Sequence, residues 1–538
     1  MGLTVFQVGL GLAFLIGIIK VYLPTLLQNT YQPLPPGPKR KPLIGNLSDL
    51  PPSGVQEWVH WSKHKKLYGP ISSVTVLGQT LVILNDSEVA IELLEKRSAI
   101  HSSRPRMVFA FEMCGWLNFL SSLPYGQRFR AYRKHIQSLL GTSHLLHRFG
   151  HIQEAEVGRF LFRLLKKPDD FISHLRTEAG AIILKIAYGY TIEPHSTDPL
   201  ISLADSALEQ FSQATVPGRW LVDILPFLRF VPSWLPGAGF KRTAKEWEAT
   251  ASRTVEIPFR FVKDQVERGT APNSFLGEFL QTEKLSTKQE FEIKWTAVSL
   301  YTGGADTTVS SLSCFCLAMI LFPAVQKKAQ EEIDRCIGDQ RLPSFNDRAN
   351  LPYVNAIVKE SLRWHPIAPM GIPHVTTQDD CYNGYLIPKG AMLLPNIWGF
   401  THDMETYKDP MSFRPERFLD TEDHVAEQDP SKYVFGFGRR ICPGRVLADQ
   451  SLYLTIAQTL ATFKLSEPEG ESKAAANFAA GIISHPKPFN AKIEVRDSQR
   501  ERLIRDIEHK YPWEQGNAHS LVELSGNTGM WKSSIDKN

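Results

Sequence analysis

The 538-residue chain is 43% apolar and 22% charged, with 36 Gly and 36 Pro spread along its length, a composition that excludes extended disorder outside the ends. Its 60 basic and 56 acidic residues leave a formal charge of +4, too small, without a basic stripe interleaved with aromatics, to point to nucleic acid. Six cysteines (Cys114, Cys314, Cys316, Cys336, Cys381, Cys442) form no CxxC pair, which excludes a disulfide scaffold or a four-cysteine zinc site and leaves reduced thiols as the expectation.

In chain order, residues 1–30 come first. From Gly2 to Ile19 there is no charged side chain, and the apolar run continues past Lys20. About 20 apolar residues span a bilayer, and a basic n-region and small-residue cleavage site are both missing, so a retained transmembrane anchor is predicted. Lys39, Arg40 and Lys41 follow it, which places the rest of the chain in the cytosol. Residues 31–46 form a proline-rich hinge: four of the six residues from Pro33 to Pro38 are proline, a stiff extended stretch or an ordinary linker.

Residues 70–85 alternate apolar and polar around Gly78-Gln79 and read as a strand pair, with further strands expected in 382–395 and 481–495. Helical periodicity covers 87–97, 126–140, 150–166, 170–190, 199–215, 241–267, 288–320, 324–337 and 351–364. The predicted fold is mainly α with small peripheral β-sheets, and length alone suggests roughly three domains of ~150 residues each. Residues 220–240, apolar, aromatic and rich in proline, read as a core segment or as an exposed apolar patch. Residues 501–538 are polar and expected as a loosely held tail.

Several stretches carry chemistry. In "GGADTT" (303–308) two glycines inside a helical pattern each cost about 1 kcal/mol against alanine, so they serve close packing or open room beside Asp306 and Thr307. "KESLRWHP" (359–366) sets Glu360 and Arg363 three apart on one helix face, ordinarily an ion pair worth about 0.5 kcal/mol. "FGFGRRICPGRVLAD" (435–449) surrounds one cysteine with glycines and arginines. A thiolate needs donors and positive potential; Pro443 at the first position of a helix would put Cys442 at a helix amino terminus, and Gly436, Gly438 and Gly444 would let amides approach the sulfur. The alternative is a buried structural cysteine beside a glycine turn.

Taken together, Phe435-x-x-Gly438-x-Arg440-x-Cys442-x-Gly444 resembles the haem-ligand signature of the cytochromes P450, the haem-thiolate monooxygenases. The resemblance implies haem b with Cys442 as axial iron ligand, Arg440 on a propionate, Phe435 packed near the sulfur and Gly438 within the cofactor-binding loop. "GGADTT" resembles the oxygen-activation motif, with Thr307 as the alcohol and Asp306 as the acid. "KESLRWHP" with "FRPERF" (413–418) resembles the family's charge network of Glu360, Arg363 and Arg417, a structural element. "YGQRFRAYRKH" (125–135) is similar to the W-x-x-x-R helix, but Phe129 replaces the tryptophan and removes its N–H donor, so only Arg133 carries over. His374 matches a position near a propionate, where a structurally satisfied histidine is the alternative.

The resemblance further implies a substrate pocket lined by Phe109, Phe111, Trp116, Tyr301, Ala305, Met370, Ile372 and Ile482, an apolar set suited to a bulky lipophilic molecule. It also reduces the body to one catalytic domain over 47–500, in which residues 220–240 would dip into the membrane beside the substrate entrance. Electrons would come from NADPH through a separate NADPH–cytochrome P450 reductase, steered by Arg128, Arg130, Lys134 and Arg439, with cytochrome b5 as an optional second partner and O2 as co-substrate. The expected location is the endoplasmic reticulum membrane, single-pass. The pattern is most similar to fungal microsomal members that tailor secondary metabolites, of the O-methylsterigmatocystin oxidoreductase type. Monooxygenation (hydroxylation, epoxidation or desaturation) is the expected activity. An isomerase or dehydratase needing no external electrons and a non-catalytic haem-binding protein are the alternatives.

Overall fold

The structure, a computed structural model, describes residues 32–526 except 53, 217, 283–284 and 471–473. The predicted anchor at 1–30 lies outside these residues. The chain divides into two compact units. The smaller comprises the described residues up to Pro105 with Met370–Phe400 and Phe437–Arg440; the larger comprises Arg106–Pro369, Thr401–Gly436 and the described residues from Ile441 on.

In the smaller unit, α1 (Glu57–Tyr68) precedes a hairpin of β1 (Ile71–Val76) and β2 (Gln79–Leu84), with Ile71 opposite Leu84 and Val76 opposite Gln79. The turn residues are Leu77 and Gly78, both at positive φ, the geometry whose twist matches paired strands. Then come β3 (His374–Val375), a second hairpin of β4 (Asp380–Tyr382) and β5 (Tyr385–Ile387), and β6 (Met392–Pro395). β6 runs parallel to β2 and antiparallel to β3, giving the order β1-β2-β6-β3. The proline-rich hinge is tied along β1: Ser73 N–H donates to Pro36 O at 2.8 Å and Ser73 Oγ to Pro35 O at 2.6 Å. A Ser87–Ile91 helix widens into a π-helical stretch, Glu92–Lys96, followed by a short turn Ser98–His101.

The larger unit is helical: α2 (Gln127–Leu140), α3 (Gly150–Lys166), α4 (Phe171–Tyr188), α5 (Pro199–Ala214), α6 (Gly239–Glu267), α7 (Phe275–Thr282), α8 (Thr287–Ala305), α9 (Thr307–Leu321), α10 (Pro323–Cys336), α11 (Pro352–Trp364) and α12 (Arg445–Thr462). β7 (Phe463–Ser466) and β8 (Lys492–Val495) pair antiparallel, and α13 (Ser498–Arg505) and α14 (Ala518–Gly526) follow. On α2 the buried residues Phe129, Tyr132, Ile136, Leu139 and Leu140 recur at three- and four-residue spacing, one apolar face. One core gathers around α4, α5, α6 and α8, a second around α3, α9, α10, α11 and α12.

Two expectations are corrected. The stretch 288–320 is two helices that meet at Asp306, whose backbone (φ −114°, ψ −33°) breaks the ladder. Together Thr287–Leu321 is apolar enough to cross a membrane, but most of it is buried inside the unit as a core element. Residues 501–526, expected as a loose polar tail, are largely helical and bury Ile504, Ile507 and Leu521. Their average polarity hides apolar residues placed at helical intervals.

Candidate active site

In the larger unit Cys442 stands three residues before α12. The helix begins at Arg445 with Gly444 as its N-cap, so Pro443 precedes the helix and does not open it. Cys442 N–H donates to Phe435 O at 2.7 Å, which closes the loop on itself and sets the cysteine beside Phe435. Burial pushes the thiol up; the Gly444 backbone N–H, Arg133 and Arg445 pull it back. A half-buried thiol with a backbone donor and two cations beside it is a site at which a bound metal ion would hold the sulfur as thiolate. A Cβ at Gly444 would sit 4.0 Å from the sulfur. Arg133, on α2, donates to the Ile441 carbonyl one residue before the cysteine. Phe129 packs in an apolar cluster with Leu123 and Tyr132.

The smaller unit holds Gly438 and Arg440. Gly438 has φ +50°, and a Cβ there would meet Leu94 O at 2.6 Å, so only glycine lets the loop lie against the π-helical turn. Arg440 Nε donates to Ser102 O at 2.7 Å. Arg104, which the sequence reading passed over, donates to Ile372 O at 2.8 Å and Pro373 O at 2.7 Å. Burial, and then the charge of Arg440, hold Arg104 well below the usual arginine range. His374 Nδ1 lies 2.7 Å from His101 O, and burial followed by Arg104 keeps its ring neutral. Among the described residues, His101 Nδ1 and Ser102 Oγ are buried polar atoms with no hydrogen-bond partner. Two guanidiniums that repel each other, beside buried orphaned polar atoms, suit an anionic group such as a carboxylate-bearing cofactor.

Asp306 and Thr307 lie at the α8–α9 junction of the larger unit. Thr307 Oγ1 donates to Gly303 O at 2.7 Å, and Asp306 Oδ2 is 3.1 Å from His485 Nε2. His485 was also missed; nothing in its local sequence marks it, and only the fold brings it to Asp306. The two glycines divide the alternatives between them. A Cβ on Gly304 would approach Ile183 Cγ1 to 2.9 Å, so Gly304 serves the packing of α8 on α4, while a Cβ on Gly303 would meet nothing within 4 Å.

The structure brings Glu360, Arg363 and Arg417 together, all fully buried. Arg363 binds Glu360 through two bonds of 2.7 and 2.8 Å and reaches Thr401 O, Pro410 O and Ser412 O. Arg417 adds Glu427 at 2.6 Å, and Arg414 N–H donates to Glu360 Oε1 at 2.7 Å. With every acceptor used, the network ties α11 to the segment 401–417; removing one partner of such a buried set costs about 3–5 kcal/mol.

The expected pocket residues separate. Phe109 stacks on Trp220 at 3.6 Å, Trp116 stacks on Phe119, and Phe111 and Ala305 are buried in the same core. Ile482 is half-buried in the larger unit; Met370 and Ile372 belong to the smaller one. Tyr301 donates its hydroxyl to Leu200 O and meets Tyr188 edge-on, which braces α8 against α5.

Residues 35–493 match the cytochrome P450 family profile. The chain is 48% identical over 498 residues to cytochrome P450 monooxygenase ppsD of Aspergillus oryzae, covering 91% of this chain and 94% of the relative. It is 47% identical over 494 residues to cytochrome P450 monooxygenase claR of Ampulloclitocybe clavipes, covering 91% of each. It is 44% identical over 505 residues to O-methylsterigmatocystin oxidoreductase of Aspergillus flavus, covering 94% and 95%. Cysteine loop, buried charge network and whole-length similarity agree: the chain belongs to the cytochrome P450 family of monooxygenases.

Proposed function

We propose that the chain is a membrane-anchored monooxygenase that inserts one oxygen atom of O2 into a bulky lipophilic intermediate of secondary metabolism. The observation that carries this is Cys442, a half-buried thiol presented to a backbone N–H and two arginines ahead of α12. Haem, held by Cys442, supplies the reductive activation of dioxygen that no side chain can provide. By the family resemblance Arg440, Arg133 and His374 would bind its propionates, and Arg104 adds a second cation beside Arg440 in the smaller unit. Asp306 would hold a proton at Oδ2 and Thr307 would pass it inward from Oγ1, since the reaction consumes O2, two electrons and two protons for each oxygen inserted and each water formed.

The electrons would come from NADPH through a separate reductase, with cytochrome b5 as an optional second donor. Arg128, Arg130 and Lys134 are exposed on α2, a basic face suited to steering an acidic partner. The anchor at residues 1–30 and the hinge would hold the body at the endoplasmic reticulum membrane. Supporting membrane contact, the 220–240 connector leaves Phe230 73% and Trp234 79% exposed, with Leu221 and Phe227 also bare. The relative named as an O-methylsterigmatocystin oxidoreductase supports a secondary-metabolite substrate.

The test compares metabolites of the native host carrying wild-type protein or Cys442→Ala. Loss of a product with accumulation of a precursor one oxygen atom lighter is the expected result. A pair of equal mass, or one differing by water, replaces monooxygenation with isomerisation or dehydration. An unchanged profile favours a non-catalytic haem-binding role.

A further inference from the structure

We propose that the cleft between the amino-terminal turns of α2 and α8 is a binding site for a small planar aromatic monoanion, an arenecarboxylate. The site lies wholly in the larger unit, uses no cofactor and stands independently of the monooxygenase reading.

The first support is the cavity. Gln127 and Arg128 from α2 and Lys288, Phe291 and Glu292 from α8 line a volume of about 510 Å³, within the roughly 300–1,000 Å³ range of small-molecule sites. The sequence places them there: Gln127 and Arg128 open α2, while Lys288, Phe291 and Glu292, at three- and four-residue spacing, share one face of α8.

The second support is the chemistry of the lining. Arg128 lies over the Phe291 ring, with Cζ 5.3 Å from the centroid, and its Nη1 donates to Asn118 Oδ1 at 2.8 Å. Lys288 is 71% exposed and comes no closer than 3.9 Å to Glu292 Oε1, a pair loose enough for the ammonium to turn to another acceptor. Two cations and one carboxylate leave the cleft one net positive charge, so it suits a monoanion, and Glu292 disfavours a dianion such as phosphate. Both helices meet the cleft with their amino-terminal ends, and α2 opens at Gly126 without a side-chain cap, which adds to the preference for negative charge. Phe291 is the one ring in the lining, a flat apolar wall on which an aromatic ring packs better than a puckered one.

The third support lies behind that wall. Trp295, one turn after Phe291 with ring centroids 5.9 Å apart, packs into the cluster of Leu123, Phe129 and Tyr132. Trp295 Nε1, the Tyr132 hydroxyl and Ser122 Oγ, next to Leu123, are buried with no hydrogen-bond partner among the described residues. All three are able to donate, so this side of the cleft is short of acceptors, which the oxygens of a carboxylate, or of the water it brings, supply.

The probe is 1-naphthoate, titrated into the full-length haem-loaded protein with the iron already coordinated by a saturating azole, so that the haem pocket is filled. Binding is read by ligand-observed NMR, and an unmoved Soret band shows that the azole stays in place. The expected Kd is on the order of 1 mM, the reach of a small ligand in an open cleft. The neutral 1-naphthalenemethanol and the saturated decahydro-1-naphthoate should each bind on the order of tenfold more weakly, the first for want of charge and the second for want of a flat ring. Lys288→Glu, an exposed substitution that leaves the fold intact, should weaken 1-naphthoate by about tenfold or more. Phe291→Ala should remove the preference for 1-naphthoate over its saturated twin. No binding to wild type at about ten times the expected Kd overturns the proposal. So does wild-type affinity in Lys288→Glu, which places the ligand elsewhere, or equal binding of the alcohol and the carboxylate. Where Phe291→Ala takes up no haem, Lys288→Glu and the three probes decide the matter.

Discussion

A Cβ added at Gly304 would come within 2.9 Å of Ile183 Cγ1, whereas one added at Gly303 would enter open space. Helix propensity treats the two substitutions alike, favouring alanine by about 1 kcal/mol, so packing decides the difference. Gly303→Ala should raise stability by about 1 kcal/mol. Gly304→Ala should lower it by about 1–3 kcal/mol, because Ile183 sits in a filled core and has no room to yield. Thermal unfolding of the two variants beside wild type checks the order, and a reversed order would refute this packing account. If the room at Gly303 serves dioxygen, Gly303→Ala will also be slower in turnover while more stable, a separation that a purely structural glycine would not give. The sequence offered packing and room as alternatives for the pair; the neighbour from α4 assigns one to each, and that neighbour lies more than a hundred residues away in the chain.

Between elements, α4 meets α12 through a buried carboxyl: Thr455 Oγ1 donates to Glu178 Oε1 at 2.5 Å. Burial pushes Glu178 up to about 8; Glu156 raises it further, while the Thr455 bond and Arg163 oppose the rise. The folded protein therefore keeps a proton that the unfolded chain releases near the ordinary glutamate range. Between about pH 5 and about pH 8 the folded state binds more protons, so this group makes stability fall as pH rises, by on the order of 3 kcal/mol across that window. Below it both states are protonated and the contribution vanishes. Glu178→Gln keeps a polar partner for Thr455 and removes the ionisation, so its stability should be flatter with pH and exceed wild type at the alkaline end. Urea unfolding at both ends of the window measures this, and a parallel slope in the variant would assign the pH dependence elsewhere. Such a carboxyl is invisible in the sequence, where "RTEAG" reads as part of any amphipathic helix.

Across the whole molecule, what was legible depended on how local the cause is. The helices α2 to α6, α10 and α11 follow from apolar spacing within each segment, and the β1–β2 hairpin from alternation around a glycine. The cysteine loop and the Glu360–Arg363 pair were readable because their residues sit at fixed short spacings, and Arg417, far along the chain, only through the resemblance carried by "FRPERF". Arg104 and His485 were not, since each acquires its place through partners far along the chain. The C-terminal segment was misjudged for the same reason: its polarity is an average, and the few apolar residues matter only where they dock. Ile504, Ile507 and Leu521 are buried, Arg159 and Arg163 lie against the Trp513 ring, and Lys185 pairs with Glu514 at 2.6 Å. Each fully buried aliphatic side chain contributes about 1.5–3 kcal/mol, so the three together rival the ~5–15 kcal/mol net stability of a typical domain. A chain ending at Asp497 should therefore yield no folded, haem-competent protein, and one ending at Trp513, which keeps α13 and loses Leu521 and Glu514, should fold with a lower midpoint. Expression of both truncations, read by haem content and thermal unfolding, tests the gradation. Wild-type behaviour from the Asp497 truncation would mean that the docked helices are passengers, as the sequence alone suggested.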